Sequence, residues 1–322
     1  MMLDTIIRGE TDGLVDLARR VQATGYRFVA PTPATHARVN ARSGAAWARD
    51  LHDVFGWSRP FMPGTIPQDI VDAMRNANVL APHEDGWRSL VRLSDLDGMT
   101  FLHSAYPTTA ADAVFFGPDT YRFARATSYW LDRSHRQIHR AVDIGCGAGP
   151  GAALIARACP AADVYAADIN DAALAITRAN AALNGVAITA VNSNLLAAIP
   201  GRFDLIVANP PYLVDPAERA YRHGGGPLGA GLSLMILDAA LDRLAPGGTL
   251  LLYTGAAIVR GNDPFHDAAA ARLAKIDMAW RYEEIDPDVF GEELESGVYA
   301  ATDRIAAVLL TVEHRNDQNA RR

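Results

Sequence analysis

From about residue 140 onward, short apolar runs alternate with longer stretches whose apolar positions recur every three to four residues. Short runs bounded by turn residues predict buried strands, and the stretches with helical spacing predict helices between them. Strands that alternate with helices indicate an α/β sheet covered by helices on both faces, and right-handed crossovers make the first five strands parallel. The seven predicted strands are Ala141–Ile144, Val164–Asp168, Val186–Val191, Phe203–Ala208, Thr249–Tyr253, Trp280–Ile285 and Ile305–Val312.

The first hundred residues carry a different pattern, in which three groups of apolar residues recur with helical spacing between proline-rich corners. These groups are Leu14, Leu17, Ala18 and Val21; Trp47, Leu51 and Phe55; and Ile70, Val71, Met74 and Leu80. The turn pair Asp97-Gly98 lies between Trp87–Leu93 and Met99–His103, which predicts a β-hairpin. We therefore predict a helical, winged-helix-like domain at residues 1–108 that recognises substrate, a main domain at 109–314 and a polar tail at 315–322.

Composition narrows the class of protein. A hydrophobic fraction of 49% over 322 residues is typical of a globular protein with a sizeable core. The two cysteines, Cys146 and Cys159, lack the spacing of a disulfide framework or a zinc site, and we predict no metal. Neither a secretory signal nor a membrane-spanning run is apparent, so we expect a cytoplasmic protein with no membrane partner.

The net charge of −7 provides no long-range attraction to a polyanion. A nucleic-acid partner would need a local basic patch, and five arginines before the first strand of the main domain are candidates. They are Arg122, Arg125, Arg133, Arg136 and Arg140. A solvated helix face explains the same cluster and is the favoured interpretation.

A glycine-rich loop follows the first strand of the main domain. Gly145, Gly147 and Gly149 allow the backbone to turn sharply and to approach a ligand closely, and Pro150 suits the first turn of a helix. The loop has the spacing G-x-G-x-G, with Asp143 two residues before it, whereas dinucleotide sites usually have G-x-G-x-x-G. An acid at that position suits the cationic S-adenosylmethionine better than a pyrophosphate. Asp168, at the end of the second strand, is placed to bind a ribose.

The sequence Asn209-Pro210-Pro211-Tyr212 ends the fourth strand. The two prolines remove two backbone donors and restrict φ, so the strand stops and the loop is rigid. The Asn209 side chain and the Pro210 carbonyl can each accept a hydrogen bond from an NH2 group, and the Tyr212 ring offers a stacking face. These residues predict a cradle for a planar nitrogen nucleophile.

Five segments in this order resemble the class I S-adenosylmethionine-dependent methyltransferases, over residues 110 to 312. Within that class the chain is similar to the group of release-factor glutamine methyltransferases and "methyltransferase small domain" enzymes that act on ribosomal RNA bases. The segments are Asp143–Gly149, Asp168-Ile169, the helix through Asn180 to Gly185, Ser193–Leu196 and Phe203–Tyr212. The resemblance implies a Rossmann-like seven-stranded sheet, mostly parallel, with the last strand antiparallel.

The resemblance also implies a role for each site residue. The methionine part of S-adenosylmethionine would lie against Asp143 and the loop Gly145, Cys146, Gly147 and Gly149. The ribose would lie at Asp168 and Ile169, and the adenine at Asn194 and Leu195. Asn209, Pro210, Pro211 and Tyr212 would form the catalytic cradle, with Asn209 also next to the cofactor. The chain departs from the group at Asn194, where an aspartate is common, and at Phe115–Ala124, which replaces a proline-rich arginine-and-glutamate segment.

We therefore expect an enzyme that transfers a methyl group from S-adenosylmethionine to a planar NH2 group. The favoured acceptor is a protein side-chain amide of the glutamine type or a related small molecule, and the alternative is the exocyclic amine of an RNA or DNA base. Two further hypotheses are a dinucleotide-dependent oxidoreductase and a non-enzymatic DNA-binding sensor. The oxidoreductase hypothesis gives no reason for the Asn-Pro-Pro-Tyr sequence.

Overall fold

The computed structural model describes residues 11–219, 221–295 and 297–315. The N-terminal ten residues, on which the prediction of no secretory signal rests, lie outside these ranges. The predicted polar tail also lies outside them, apart from Arg315. Within the described ranges, the helices are all too short or too polar to cross a membrane.

Within the described residues, the N-terminal unit consists of four short helices followed by two β-hairpins. Its elements are α1 (Thr11–Ala23), α2 (Pro33–Asn40), α3 (Leu51–Phe55), α4 (Gln68–Asn76), β1 (Leu80–His83), β2 (Gly86–Ser89), β3 (Val91–Leu96) and β4 (Met99–Ser104). β1 pairs with β2 and β3 with β4, both antiparallel.

Three predictions in this unit were wrong in detail. Trp47 lies outside α3, and Leu80 begins a strand instead of ending a helix. The predicted strand from Trp87 to Leu93 is interrupted at Leu90, because the Ser89 hydroxyl bonds to both the N–H and the carbonyl of Val91 and bends the chain there. The hairpin across Asp97-Gly98 is present as β3–β4. The winged-helix-like character of the unit stays a prediction.

Within the described residues, the main domain contains twelve α-helices and β-strands. They are α5 (Pro118–Arg133), β5 (Arg140–Ile144), α6 (Pro150–Ala158), β6 (Asp163–Asp168), α7 (Asp171–Asn184), β7 (Thr189–Asn192), β8 (Phe203–Ala208), α8 (Gly231–Arg243), β9 (Leu244–Ile258), α9 (Pro264–Leu273), β10 (Met278–Asp286) and β11 (Arg304–His314). The boundary predicted between residues 108 and 109 falls in the connection from β4 to α5.

The seven strands of this domain form one sheet in the order β10-β11-β9-β8-β5-β6-β7. Neighbours among β7, β6, β5, β8 and β9 are parallel, while β11 runs antiparallel to both β9 and β10. The predicted fold class, a mostly parallel sheet whose last strand is antiparallel, is confirmed.

Two strands, β7 and β9, have a boundary three or more residues away from the prediction. β7 begins at Thr189 and not at Val186, because Gly185 ends α7 in a left-handed conformation and the chain needs several residues to reach the sheet. β9 extends from Leu244 to Ile258, far beyond the predicted Thr249–Tyr253. Its start contains Pro246 and two glycines, residues that normally break a strand but are tolerated at an irregularity, and the pairing register with β8 shifts there.

The N-terminal unit packs directly on the main domain. α1 contacts α4 of its own unit and α7 of the sheet domain, and α7 also contacts β4. One apolar core continues from Leu17 and Phe55 in the N-terminal unit to Ile176 and Ala179 on α7. Because this core is shared, the N-terminal unit is fixed against the helix that flanks the glycine loop.

The sheet brings the predicted motifs to one edge. Ile144, the last residue of β5, pairs with Ala167 of β6 and with Ala208 of β8. The loops that follow these strands therefore start at the same level, where ligands bind in open α/β sheets.

Candidate active site

The glycine loop between β5 and α6 adopts the conformation that its sequence predicts. The φ angles of Gly145, Gly147 and Gly149 are +68°, +55° and +80°, in the left-handed region that favours glycine. The N–H groups of Gly145 and Cys146 both donate to the carbonyl of Ala167 in β6, at 2.8 and 3.1 Å. Pro150 then begins α6, so the loop runs directly into a helix N-terminus.

Asp143 lies beneath this loop and is 1% exposed. Its Oδ2 accepts a hydrogen bond of 3.0 Å from the N–H of Ala152 in the first turn of α6. A Cβ on Gly151 would lie 2.7 Å from the same oxygen, so the close approach of helix and carboxylate requires glycine there. Burial raises the pKa of the Asp143 carboxyl to about 7, and the nearby charge of Asp168 acts in the same direction. A cationic ligand would favour the ionised form.

Asp168 connects the loop to the beginning of α7. Its Oδ2 accepts from the N–H of Gly147 at 3.0 Å, and its Oδ1 accepts from the N–H of Asn170 at 2.9 Å. Burial raises the pKa of Asp168. Each carboxylate oxygen has a further lone pair, so ribose hydroxyls can still be bound. The neighbouring Ile169 is 62% exposed, an unusual exposure for a large aliphatic side chain.

The remaining predicted cofactor residues follow β7. Leu195 has a φ of +51°, which turns the chain back directly after Asn194. The turn is held by Ser193, whose Oγ accepts from the N–H of Ala198 at 3.0 Å. Asn194 and Leu195 both line the central cavity.

That cavity has a volume of about 410 Å³ and brings together most of the predicted site. Twelve of the thirteen predicted residues line it: Asp143, Gly145, Cys146, Gly147, Asp168, Ile169, Asn194, Leu195, Asn209, Pro210, Pro211 and Tyr212. Gly149 is not among the lining residues. It caps α6, and a Cβ there would lie 2.9 Å from the Thr177 side chain. Gly149 therefore has a structural role at the end of the glycine loop, where α6 begins.

Two adjacent residues of the Asn-Pro-Pro-Tyr segment, Asn209 and Pro210, line the cavity, and each carries a hydrogen-bond acceptor. Asn209 is half-buried and Pro210 is buried. Within the described part of the chain, neither the Asn209 side chain nor the Pro210 carbonyl takes part in a hydrogen bond. Two acceptors on adjacent residues, in one cavity with the glycine loop, match the two N–H groups of a planar NH2.

Tyr212 is held by residues on two other segments. A Cβ on Gly255 of β9 would overlap the Tyr212 ring, so the ring lies directly on that glycine. On another side, Phe290 contacts it edge-on, with ring centroids 5.8 Å apart. The ring is thereby fixed at the cavity wall.

A buried acid beside Tyr212 was missed by the sequence analysis. Asp119, in the first turn of α5, lines the cavity, is 5% exposed and accepts a 2.8 Å hydrogen bond from the Tyr253 hydroxyl. Burial raises the pKa of Asp119. The Tyr212 hydroxyl is near this carboxylate but makes no hydrogen bond to any described residue. No motif marked Asp119, because its partner Tyr253 is 134 positions away in sequence.

The outer wall of the cavity comes from segments that carry no motif. Pro33 of α2 lines it, as do Tyr106, Pro107 and Thr108 in the connection from β4 to α5. The segment after Tyr212 also contributes, since the Tyr221 hydroxyl bonds to the Thr108 carbonyl. The N-terminal unit and the segment after the cradle thus meet over the cavity.

The cations in this wall are paired. Arg219 makes two 2.7 Å hydrogen bonds to the buried carboxylate of Asp215, and Arg222 pairs with Glu293. These internal pairs neutralise both lining guanidinium groups.

Three of the five arginines proposed as a basic patch are also engaged within the molecule. Arg122 pairs with Asp286 at 2.8 Å, and Arg136 pairs with Glu313 at 2.9 Å. The guanidinium of Arg140 lies over the rings of Tyr165 and Phe203. Arg122, Arg136 and Arg140 thus each contact a different part of the main domain.

Comparisons with known proteins agree with this arrangement of motifs. The family model described as methyltransferase small domain matches residues 122–258. Release factor glutamine methyltransferase of Bordetella pertussis is 33% identical over 239 residues, which are 67% of this chain and 83% of that protein.

Two further relatives match over shorter stretches. The ribosomal protein uL3 glutamine methyltransferase of Bordetella pertussis is 37% identical, with 39% of this chain and 46% of that protein covered. The ribosomal RNA small subunit methyltransferase C of Serratia proteamaculans is 32% identical, with 36% of this chain and 31% of that protein covered. The chain thus spans less than half the length of each of these two.

Proposed function

Because this chain belongs to the class I S-adenosylmethionine-dependent methyltransferases, in the group with the release factor glutamine methyltransferases, we propose that it N-methylates a side-chain amide of a protein. S-adenosylmethionine is its cofactor. The observation that carries the proposal is the pair of acceptors on Asn209 and Pro210, which no described residue engages, on two residues that line one cavity with the glycine loop.

The residues of the cavity suit this cofactor. Asp143 and Asp168 supply the carboxylates that a cation and a ribose would need, and the exposed Ile169 offers an apolar surface at the same end. The cavity of about 410 Å³ is within the range of small-molecule sites, about 300 to 1,000 Å³. When bound, the cofactor supplies a methyl group on a positively charged sulfur.

The cradle supplies orientation. An amide nitrogen delocalises its lone pair, so it is a poor nucleophile in water. Hydrogen bonds from both N–H groups to Asn209 and Pro210 favour the form with a localised lone pair and aim it at the methyl carbon. Transfer forms one N–C bond and breaks one S–C bond, whose electron pair stays on sulfur, while one proton leaves to solvent. The buried carboxyl of Asp119, beside Tyr212, is not required for this step.

The charge distribution supports a protein amide over a nucleic-acid base. Arg219 and Arg222 are the arginines in the cavity wall, and both are paired with carboxylates. The net charge of −7 and the internal contacts of Arg122, Arg136 and Arg140 leave little to attract a phosphate backbone. A neutral amide needs no such cation.

A labelling experiment tests the acceptor class. A cell lysate is incubated with the enzyme and S-adenosylmethionine that carries a radioactive methyl group, and the product is treated with protease or RNase. We expect the label to be lost to protease and kept after RNase. Acid hydrolysis of the labelled protein should then release volatile methylamine, because a methylated amide hydrolyses at its C–N bond. Label released by RNase, or held on a residue that survives acid hydrolysis, would contradict the protein-amide proposal.

The catalytic role of the cradle needs its own variant. Asn209→Ala removes one of the two acceptors, and we expect turnover to fall about 100-fold or more, which corresponds to about 3 kcal/mol of transition-state stabilisation. Binding of S-adenosylhomocysteine should change by less than about threefold. Asn192→Ala serves as a control, since this exposed asparagine lies on the same sheet domain and bonds to Asp171. Turnover retained in Asn209→Ala would exclude the assigned role.

A further inference from the structure

Two asparagines on α7 bind the backbone of β4 in the N-terminal unit. The Asn180 side chain accepts from the N–H of Leu102 at 2.8 Å and donates to its carbonyl at 3.0 Å. One helical turn later, Asn184 does the same for Thr100, at 3.1 and 2.9 Å. Each amide therefore pairs with one strand residue as a neighbouring strand would.

The spacing of helix and strand makes this double contact possible. Residues four apart on a helix are separated by about 6 Å along its axis, at about 1.5 Å per residue. Residues two apart on a strand are separated by about 6.6 Å, at about 3.3 Å per residue. Asn180 and Asn184 therefore match Thr100 and Leu102, which lie on one edge of β4.

Asn180 makes one contact that Asn184 does not. Its Nδ2 also donates to the carbonyl of Ala148 in the glycine loop, at 2.9 Å. In addition, Thr177, one turn earlier on α7, donates to the preceding loop carbonyl, that of Gly147, at 3.0 Å. The carbonyls of Gly147 and Ala148 are thus both bound by side chains of α7, and one of these side chains, Asn180, also binds the N-terminal unit.

Holding the Ala148 carbonyl fixes the turn of the loop. The peptide bond is planar, so this carbonyl and the N–H of Gly149 move together. That N–H closes the loop by donating to the Cys146 carbonyl at 2.7 Å. Rotation of the peptide would break both bonds and shift Cys146 and Gly147, which line the cavity.

We propose that Asn180 is a positioning residue for the cofactor, through which strand β4 of the N-terminal unit holds the glycine loop in its binding conformation. Asn180 is 1% exposed and Leu102 is fully buried, so water cannot replace these bonds without local opening. The inference concerns cofactor binding and does not depend on the identity of the methyl acceptor. It assigns the N-terminal unit a part in cofactor binding besides its contribution to the cavity wall.

The two asparagines provide a matched pair of variants. Asn180→Ala and Asn184→Ala each remove a two-bond contact with β4, but only the former frees a loop carbonyl. Binding of S-adenosylhomocysteine is measured by calorimetry on both full-length variants, together with their unfolding by urea. We expect both variants to be destabilised. Asn180→Ala should bind about 10-fold more weakly, equal to about 1.4 kcal/mol at 25 °C, and Asn184→Ala should stay within about twofold of the wild type.

Hydrogen exchange distinguishes a positioning role from a general loss of stability. In Asn180→Ala, the amide of Gly149 should exchange faster, while amides in β8 and β9 keep their order of protection. Asn184→Ala should leave the loop amides unchanged. If Asn180→Ala does not fold, Asn180→Ser is compared with Asn184→Ser under the same expectations. Unchanged affinity in the position-180 variant, or an equal loss at both positions, would overturn the proposal.

Discussion

Replacing Asp143 by asparagine should stabilise the cofactor-free protein and weaken its cofactor binding. Asp143 is almost fully buried, and burial raises the pKa of its carboxyl from 3.8 to about 7. Asparagine has nearly the same shape, and its side-chain oxygen can still accept from the N–H of Ala152. The substitution therefore removes a buried titratable group at little cost in packing.

The size of the effect follows from proton linkage. Between about pH 4 and 7 the unfolded chain releases the Asp143 proton while the folded protein keeps it, so stability falls as the pH rises through this window. At about 1.36 kcal/mol per pKa unit, the wild type loses about 4 kcal/mol of stability between about pH 4 and pH 8, most of it above pH 5. Asparagine does not titrate, so its advantage in stability over the wild type should grow by about 3 kcal/mol between about pH 5 and pH 8.

Urea unfolding at about pH 5 and pH 8, without cofactor, measures this difference. Asp277→Asn is the control, because the Asp277 side chain is 80% exposed. Calorimetry at pH 8 should show S-adenosylhomocysteine binding to Asp143→Asn at least about 10-fold more weakly, since the carboxylate that favours the cationic end of the ligand is absent. An asparagine variant less stable than the wild type at pH 8, or a stability difference independent of pH, would refute the reasoning.

Two other substitutions test the cavity walls. Gly255→Ala places a methyl group where the Tyr212 ring lies, so turnover should fall about 10-fold or more while the affinity for S-adenosylhomocysteine is kept. Gly291→Ala is the control, because a Cβ at Gly291 has no neighbouring atom within 4 Å. Equal turnover in the two variants would count against a fixed Tyr212 ring. Ile169→Ser removes an apolar side chain that is 62% exposed, so the free energy of unfolding should change by less than about 0.5 kcal/mol. The affinity of this variant for S-adenosylhomocysteine should fall about fivefold, because the complex loses about 1 kcal/mol of free energy from apolar burial. Unchanged affinity would exclude Ile169 from the cofactor site.

The motifs at the strand ends were predictable because their causes are local. Glycines with positive φ at positions 145, 147 and 149, and the prolines at 210 and 211, determine where strands stop and how the chain turns. Parallel strands place their carboxyl ends at one edge of a sheet whatever the rest of the chain does. Sequence therefore sufficed to bring the glycine loop, Asp168 and Asn209 together.

Strand lengths were less predictable, because pairing partners decide them. β9 continues through Gly255 to Ile258 since β11 pairs with it along that stretch. The apolar pattern of neighbouring residues carries no information about this pairing of distant strands. The same limit applies to the break at Leu90, where a single side-chain hydroxyl divides what the apolar pattern presents as one strand.

The sequence by itself determined the fold class, through the alternation of strands and helices, and also the turns of the glycine loop and of Asn209–Tyr212, because those turns depend on backbone preferences within a few residues. Only the tertiary structure decided what surrounds them. Asp119 meets Tyr253 across 134 positions, Tyr221 meets Thr108 across 113, and Asn180 joins the glycine loop to a strand 78 positions earlier. Contacts between such distant positions depend on how the helices and strands pack together in the folded chain, and no local preference of the chain specifies that packing.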